Sequence, residues 1–183
     1  FLAFQKWINM LQKPNQRGSW QKEFEPGPRM YAGLKSAFES ISLFGKSGGA
    51  DRTLYADFLE EASQVLSKPQ LDGVAAQFRA SAGAWDLLAE SMLPGEIPLL
   101  EETRRLMMIK HHLFIDHGAS ELDQILEINA RLSEMRKIAE EDFPLTHSQV
   151  EDLRSEIAGK VKAVQDIEME AIESLSGNID IEP

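Results

Sequence analysis

Cysteine is absent from the 183 residues. Its absence removes disulfides, thiolate metal ligands and a cysteine nucleophile together, and it fits a reducing cytoplasm. No run of about 18 apolar residues occurs, so no membrane-spanning helix is expected. No basic-then-apolar leader opens the chain. Its first residues, FLAFQKWINML, lack an initial Met and already have helical spacing. We therefore expect a piece of a longer protein whose chemistry lies upstream. Positive charge is scarce as well. The net charge is −11, and residues 111–183 hold 6 basic against 17 acidic side chains. A phosphate backbone needs a cationic stripe, so nucleic acid is not an expected partner. The exception is the start, where Lys6, Lys13, Arg17 and Lys22 stand with no acid among them. That edge can steer an acidic partner.

What the chain does have is helical period. Apolar residues are 43% and charged residues 27% of the total, a balance that supports a folded core rather than disorder. The length corresponds to one domain. Phe1, Phe4, Ile8 and Leu11 share a face. A Pro/Gly-rich loop follows, and Pro28 suits a first helical turn. Met30, Leu34, Ala37, Phe38 and Ile41 make a second stripe, closed by Gly45 and the turn GKSGG. Asp51 is placed to cap the next helix, whose expected core face is Leu54, Tyr55, Phe58, Ala62, Val65 and Leu66. Leu71 to Met92 gives a further stripe, 99–116 another, and Leu122 to Ala139 another. Thr146-x-x-Gln149 and Ser148-x-x-Glu151 both have capping-box spacing before a run from Val150 to Leu175. No alternating strand pattern of useful length appears. The expectation is an all-α fold, an irregular bundle of about seven helices. It ends in a long antiparallel hairpin over 119–176, followed by a tail at 177–183.

Gly45-Lys46-Ser47 ends like a phosphate-binding loop. Such a loop needs a glycine five residues before Gly45, and a strand ahead of it. Position 40 is Ser, and the preceding period is helical. A helix stop followed by a turn is the better reading. IKHHLFIDHG places His112 and Asp116 on one helix face, with His117 beside them. These three form a candidate acid–base cluster. The plainer alternative is histidines near a helix C-terminus, where a cation favours the macrodipole. HExxH and paired Glu-x-x-His motifs are absent, and no metal or cofactor is expected. Asp57, Glu60 and Glu61 read as a solvated helix face, and Arg52 and Asp57, five apart, are poorly spaced to pair. Trp7, Trp85, Met107 and Met108 read as core. Trp20, in a Pro/Gly-bounded loop, is the expected exposed anchor.

Several short motifs carry a resemblance: Ser19-Trp20, FEPGP at 24–28, Gly48-Gly49, RTLYADFLEEA at 52–62, Trp85 with LLA close behind, Leu93-Pro94 and DFPL at 142–145. Together they resemble the helical domain of unknown function that follows the cysteine-acyltransferase-like domain in butirosin-biosynthesis-protein-H-type proteins. Residues 1–115 resemble that family's core. The resemblance implies an upstream papain-like domain with a Cys/His pair, which passes an acyl group from a carrier protein to an amine on a small molecule. With no cysteine here, that nucleophile has no counterpart in this chain. The expectation is a non-catalytic helical module that shapes a substrate cleft or mediates contacts. Its candidate interface or cleft residues are Trp20, Arg52, Tyr55, Asp57 and Trp85. Expected partners are an N-terminal catalytic domain of the same protein, an acyl carrier protein at the basic start, or a second copy. Two rivals remain: a stand-alone interaction protein using the amphipathic helix over 147–175, and an enzyme using His112, Asp116 and His117, with or without a metal.

Overall fold

Pro28 and Pro98 each open a helix, where a missing backbone donor costs nothing. From such local signals the chain builds α1 (Leu2–Gln12), the single turn α2 (Trp20–Glu23), α3 (Pro28–Ser42), α4 (Arg52–Leu66), α5 (Gln70–Met92), α6 (Pro98–His117), α7 (Leu122–Glu141) and α8 (His147–Asn178). Tight 3₁₀ turns at Gly49–Asp51 and Gly118–Glu121 precede α4 and α7. The computed structural model describes residues 2–15, 17–44 and 49–178. Among them there is no strand, and seven α-helices exceed ten residues. The all-α expectation holds. Gly45-Lys46-Ser47 lies outside the described residues, but α3 before it is helix, not strand.

Helix α5 is the centre, with α8, α4 and α3 laid against it. Helix α8 also covers α1. Leu34, Leu88, Met92, Leu100, Ile157 and Val161 are fully buried in one continuous core. A smaller cluster joins Ala56, Leu59, Val74, Ala75, Phe78 and Ala171. The last two helices do not make their main contacts with each other. Helix α7 lies on α6 and α3, while α8 lies on α5 and α1. The cause is the five-residue link after Glu141, whose Phe143 and Leu145 pack on the main core and carry α8 to other neighbours. The short hairpin connection is the one between α6 and α7.

Capping follows one of the two predicted boxes. Gln149 N–H donates to Thr146 Oγ1 at 3.3 Å, and Thr146 N–H donates to Gln149 Oε1 at 2.9 Å. Ser148 lies inside the helix. Asp51 holds the N-cap position of α4 but makes no side-chain capping bond to it. Its backbone is left-handed (φ 61°), as are Gly49 (φ 52°) and Ala50 (φ 49°).

That left-handed turn is pressed onto α5. A Cβ at Gly49 would stand 2.7 Å from Ala82 Cβ and 2.9 Å from Ala82 Cα. Backbone cannot yield as a flexible side chain can, so only glycine fits. We expect Gly49→Ala to lower unfolding free energy by about 2–3 kcal/mol, from overpacking plus left-handed strain. Ala50→Gly relieves strain, and is expected to be neutral or stabilising by up to about 1 kcal/mol. Urea unfolding of both variants checks the pair.

Candidate functional site

Counting along α8, Val161, Val164, Ala171 and Leu175 recur at helical spacing, and Glu168 sits in the same stripe. It is 5% exposed. An acid so placed must find donors or lose its charge. Three donors converge on Oε1: Arg52 Nε at 2.6 Å, Trp85 Nε1 at 2.7 Å and Ser81 Oγ at 3.1 Å. Arg52 comes from the first turn of α4. Ser81 and Trp85 are four apart and so share one face of α5.

The cluster extends outward. Arg52 Cζ lies 5.8 Å from the centre of the Trp85 ring, within cation–π range. Phe4 of α1 approaches the same ring at 5.9 Å. Arg52 Nη1 donates to Ala50 O at 3.0 Å, and Gly49 N–H donates to Asp86 Oδ1 at 2.8 Å. The left-handed turn is therefore tied at both ends by charged side chains. Burial pushes the Glu168 carboxyl up. The hydrogen bonds from Arg52, Trp85 and Ser81, with the charge of Arg52, outweigh burial and hold the carboxyl below the ordinary glutamate value. An ionised carboxylate already holding three donors is a weak proton acceptor. Its chemistry here is that of a clamp joining α4, α5 and α8.

The other predicted residues separate. Trp20 is buried, not an exposed anchor. It is 6% exposed, and its ring meets Phe24 edge-on at 4.9 Å. Phe24 in turn covers Gly33, where a Cβ would stand 2.7 Å from the ring. The FEPGP segment thus serves packing. Asp57 does not pair with Arg52. Together with Glu60 it meets Arg79 of α5 in an exposed network, of the kind that contributes little. Tyr55 rests edge-on against Phe78 at 4.6 Å. His112, Asp116 and His117 are all exposed near the C-terminus of α6. Among the described residues, no group of three or more His, Asp or Glu is placed to hold a metal ion.

The largest departure concerns α4. Its buried residues are Ala56, Leu59 and Ser63. Leu54, Phe58, Val65 and Leu66, expected in the core, are 56%, 58%, 75% and 60% exposed. The smaller side of the helix faces α5, because Arg52 must reach Glu168 and small residues allow close approach. By contrast, the apolar stripe of α8 is covered within the chain. Ile157, Val161, Val164 and Ala171 are fully buried. The rival that makes 147–175 a partner surface loses its support.

These features define an all-α domain clamped by an ion pair whose acid is buried, with α4 among the helices that present apolar side chains to solvent. Residues 14–96, from the loop before α2 to the turn after α5, match the family model of a domain of unknown function (DUF4872). No curated protein and no solved structure matches the chain. The match does not reach as far as butirosin-biosynthesis-protein-H-type proteins. It contains Arg52, Ser81 and Trp85, whereas Glu168 lies beyond it.

Removing one member of a buried ion pair strands the other. Arg52 is partly exposed and can recover water. Glu168→Ala is therefore expected to cost about 3 kcal/mol, at the lower end for such pairs. Because the carboxyl's pKa is lower in the folded chain than in the unfolded one, its contribution is complete above the ordinary glutamate range, about 4.3. It is lost as pH falls through the folded value. The stability gap between the wild type and Glu168→Gln should accordingly hold at neutral pH and shrink under acid. Urea titrations at several pH values measure it.

Proposed function

We propose that this chain is a non-catalytic helical module of a larger acyltransferase-like or peptidase-like protein, and that α4 is the face it presents to the catalytic domain of that protein. One observation carries the reading: α4 rests on α5 and on the turn before it, while Leu54, Phe58, Val65 and Leu66 stand in solvent. Exposed apolar side chains grouped on one helix favour a contact site, and aromatic anchors such as Phe58 and Tyr55 are the residue types that dominate binding. The face lies within the family-matched segment. The motif that carries the resemblance, RTLYADFLEEA, is the sequence of this helix. The acids Asp57, Glu60 and Glu61 along α4 disfavour an acidic carrier protein at this face.

A carrier protein has a different docking edge available. Lys6, Lys13, Arg17 and Lys22 are exposed, and among the described residues no carboxylate lies within ion-pair distance of them. Reversing the charge of Lys6, Lys13 and Arg17 together should weaken binding of an acyl carrier protein at low salt by about tenfold or more. Titration by fluorescence anisotropy tests this, and unchanged affinity rejects the edge.

For the main reading, hydrogen exchange of residues 54–66 is compared between this chain alone and the longest polypeptide its gene encodes. Slower exchange in the longer polypeptide, abolished by Phe58→Glu with Val65→Glu, is expected. Equal exchange in both, or a reading frame with no further domain, rejects it. A concentrated sample of the isolated chain that dimerises through α4 would instead establish a second copy as the partner.

A further inference from the structure

Helices α3 and α6 each lie against α7 but come close to one another at few points. The space left between them is a groove made of two adjoining cavities, about 260 Å³ and about 440 Å³. Lys35, Glu39, Lys110 and Leu132 line both. The two ends differ in chemistry. The smaller cavity is walled by Leu43, Phe44, Met107, Phe114 and Ile115. Of these, Phe44, Phe114 and Ile115 are 77%, 65% and 62% exposed. The larger cavity is walled by Ser36, Asn129, Ser133 and Arg136, with Tyr31 at its base.

Charge sets the ligand's sign. Three cations, Lys35, Lys110 and Arg136, line the groove against one acid, Glu39. Lys35 is 3.9 Å from Glu39, and Arg136 bonds Glu140 at 3.0 Å. Among the described residues Lys110 has no carboxylate within ion-pair distance, and it stands where the two cavities meet. A local cationic excess in a chain of net charge −11 is complementary to an anion. The exposed aromatic and aliphatic residues beside it are complementary to an alkyl chain.

We propose that this groove binds a single-tailed amphipathic anion, with its acid group at Lys110, between Lys35 and Arg136, and its alkyl chain along Leu43, Met107, Phe114 and Ile115. The site shares no residue with α4 and does not depend on the contact reading above. The hydroxyl of Ser36 and the side-chain amide of Asn129 supply further donors to the acid group, whereas the Ser133 hydroxyl already donates to Asn129 O at 2.9 Å. Tyr31 is held in place beneath it, because its hydroxyl bonds Thr103 Oγ1 at 2.9 Å while Thr103 donates onward to Leu99 O.

The test is calorimetric titration of the whole chain with decanoate below its micelle concentration, with decanol and decyltrimethylammonium as neutral and cationic probes. Saturable one-site binding of decanoate is expected, with the other two weaker by about tenfold or more, as fits a charge-assisted contact. Lys110→Glu should abolish the preference for the anion. Lys110→Arg should keep it. Phe114→Ser with Ile115→Ser should weaken all three probes, and circular dichroism verifies that each variant stays folded. No saturable decanoate binding, equal affinity for decanol, or indifference to Lys110→Glu overturns the proposal. Binding only to vesicles of anionic lipid overturns it as well, in favour of a membrane surface.

Discussion

The carboxylate of Glu168 is the point on which the arrangement of α4, α5 and α8 turns. An ionised group 95% removed from solvent is tolerable only where donors replace its water. The three that do so come from Arg52, Ser81 and Trp85. Meeting that demand fixes the rotation of α4 about its own axis. Arg52 at its first turn must point inward, and Ala56, Leu59 and Ser63 then follow it against α5. The more apolar residues of the helix are left facing out. The same pull holds the left-handed turn at Gly49–Asp51, which Arg52 and Asp86 tie to its neighbours.

Seen this way, the family-matched segment is not complete by itself. Its arginine and tryptophan meet an acid supplied by α8, far outside residues 14–96. Helix α8 also joins α1 to the core, and Phe4 of α1 reaches the Trp85 ring. The two ends of the chain thus close over the matched segment at a single cluster. Beside that cluster the apolar side chains Leu54, Phe58, Val65 and Leu66 of α4, the helix that the clamp orients, stand in solvent.

Much of this was legible in the residues, and the parts that were not share a cause. Helix number and position follow from apolar spacing and from Pro28, Pro98 and the Thr146–Gln149 box, all of which act locally. Periodicity correctly placed the buried side of α8. It failed for α4, because counting apolar residues finds the most hydrophobic face, whereas the face that packs was chosen by a salt bridge to a residue 116 positions later. Trp20 misled for a similar reason. A Pro/Gly-bounded loop reads as exposed, yet Phe24 and Gly33 make a pocket that the ring's neighbours fill. Glu168 left one local sign that could have been read: a lone acid at the stripe position between Val164 and Ala171. The candidate cluster of His112, Asp116 and His117 rested on i, i+4 spacing on one helix face, and all three side chains stand exposed near the end of α6.

The claim that the ion pair clamps α4 is tested most directly by a double-mutant cycle on Arg52 and Glu168, using Arg52→Met, Glu168→Leu and the pair together, followed by urea unfolding. The account predicts strong coupling, about 2 kcal/mol or more, with the double variant more stable than the sum of the single losses allows, because neither charge is left stranded. Additive losses would mean that the two side chains contribute independently, and would contradict it.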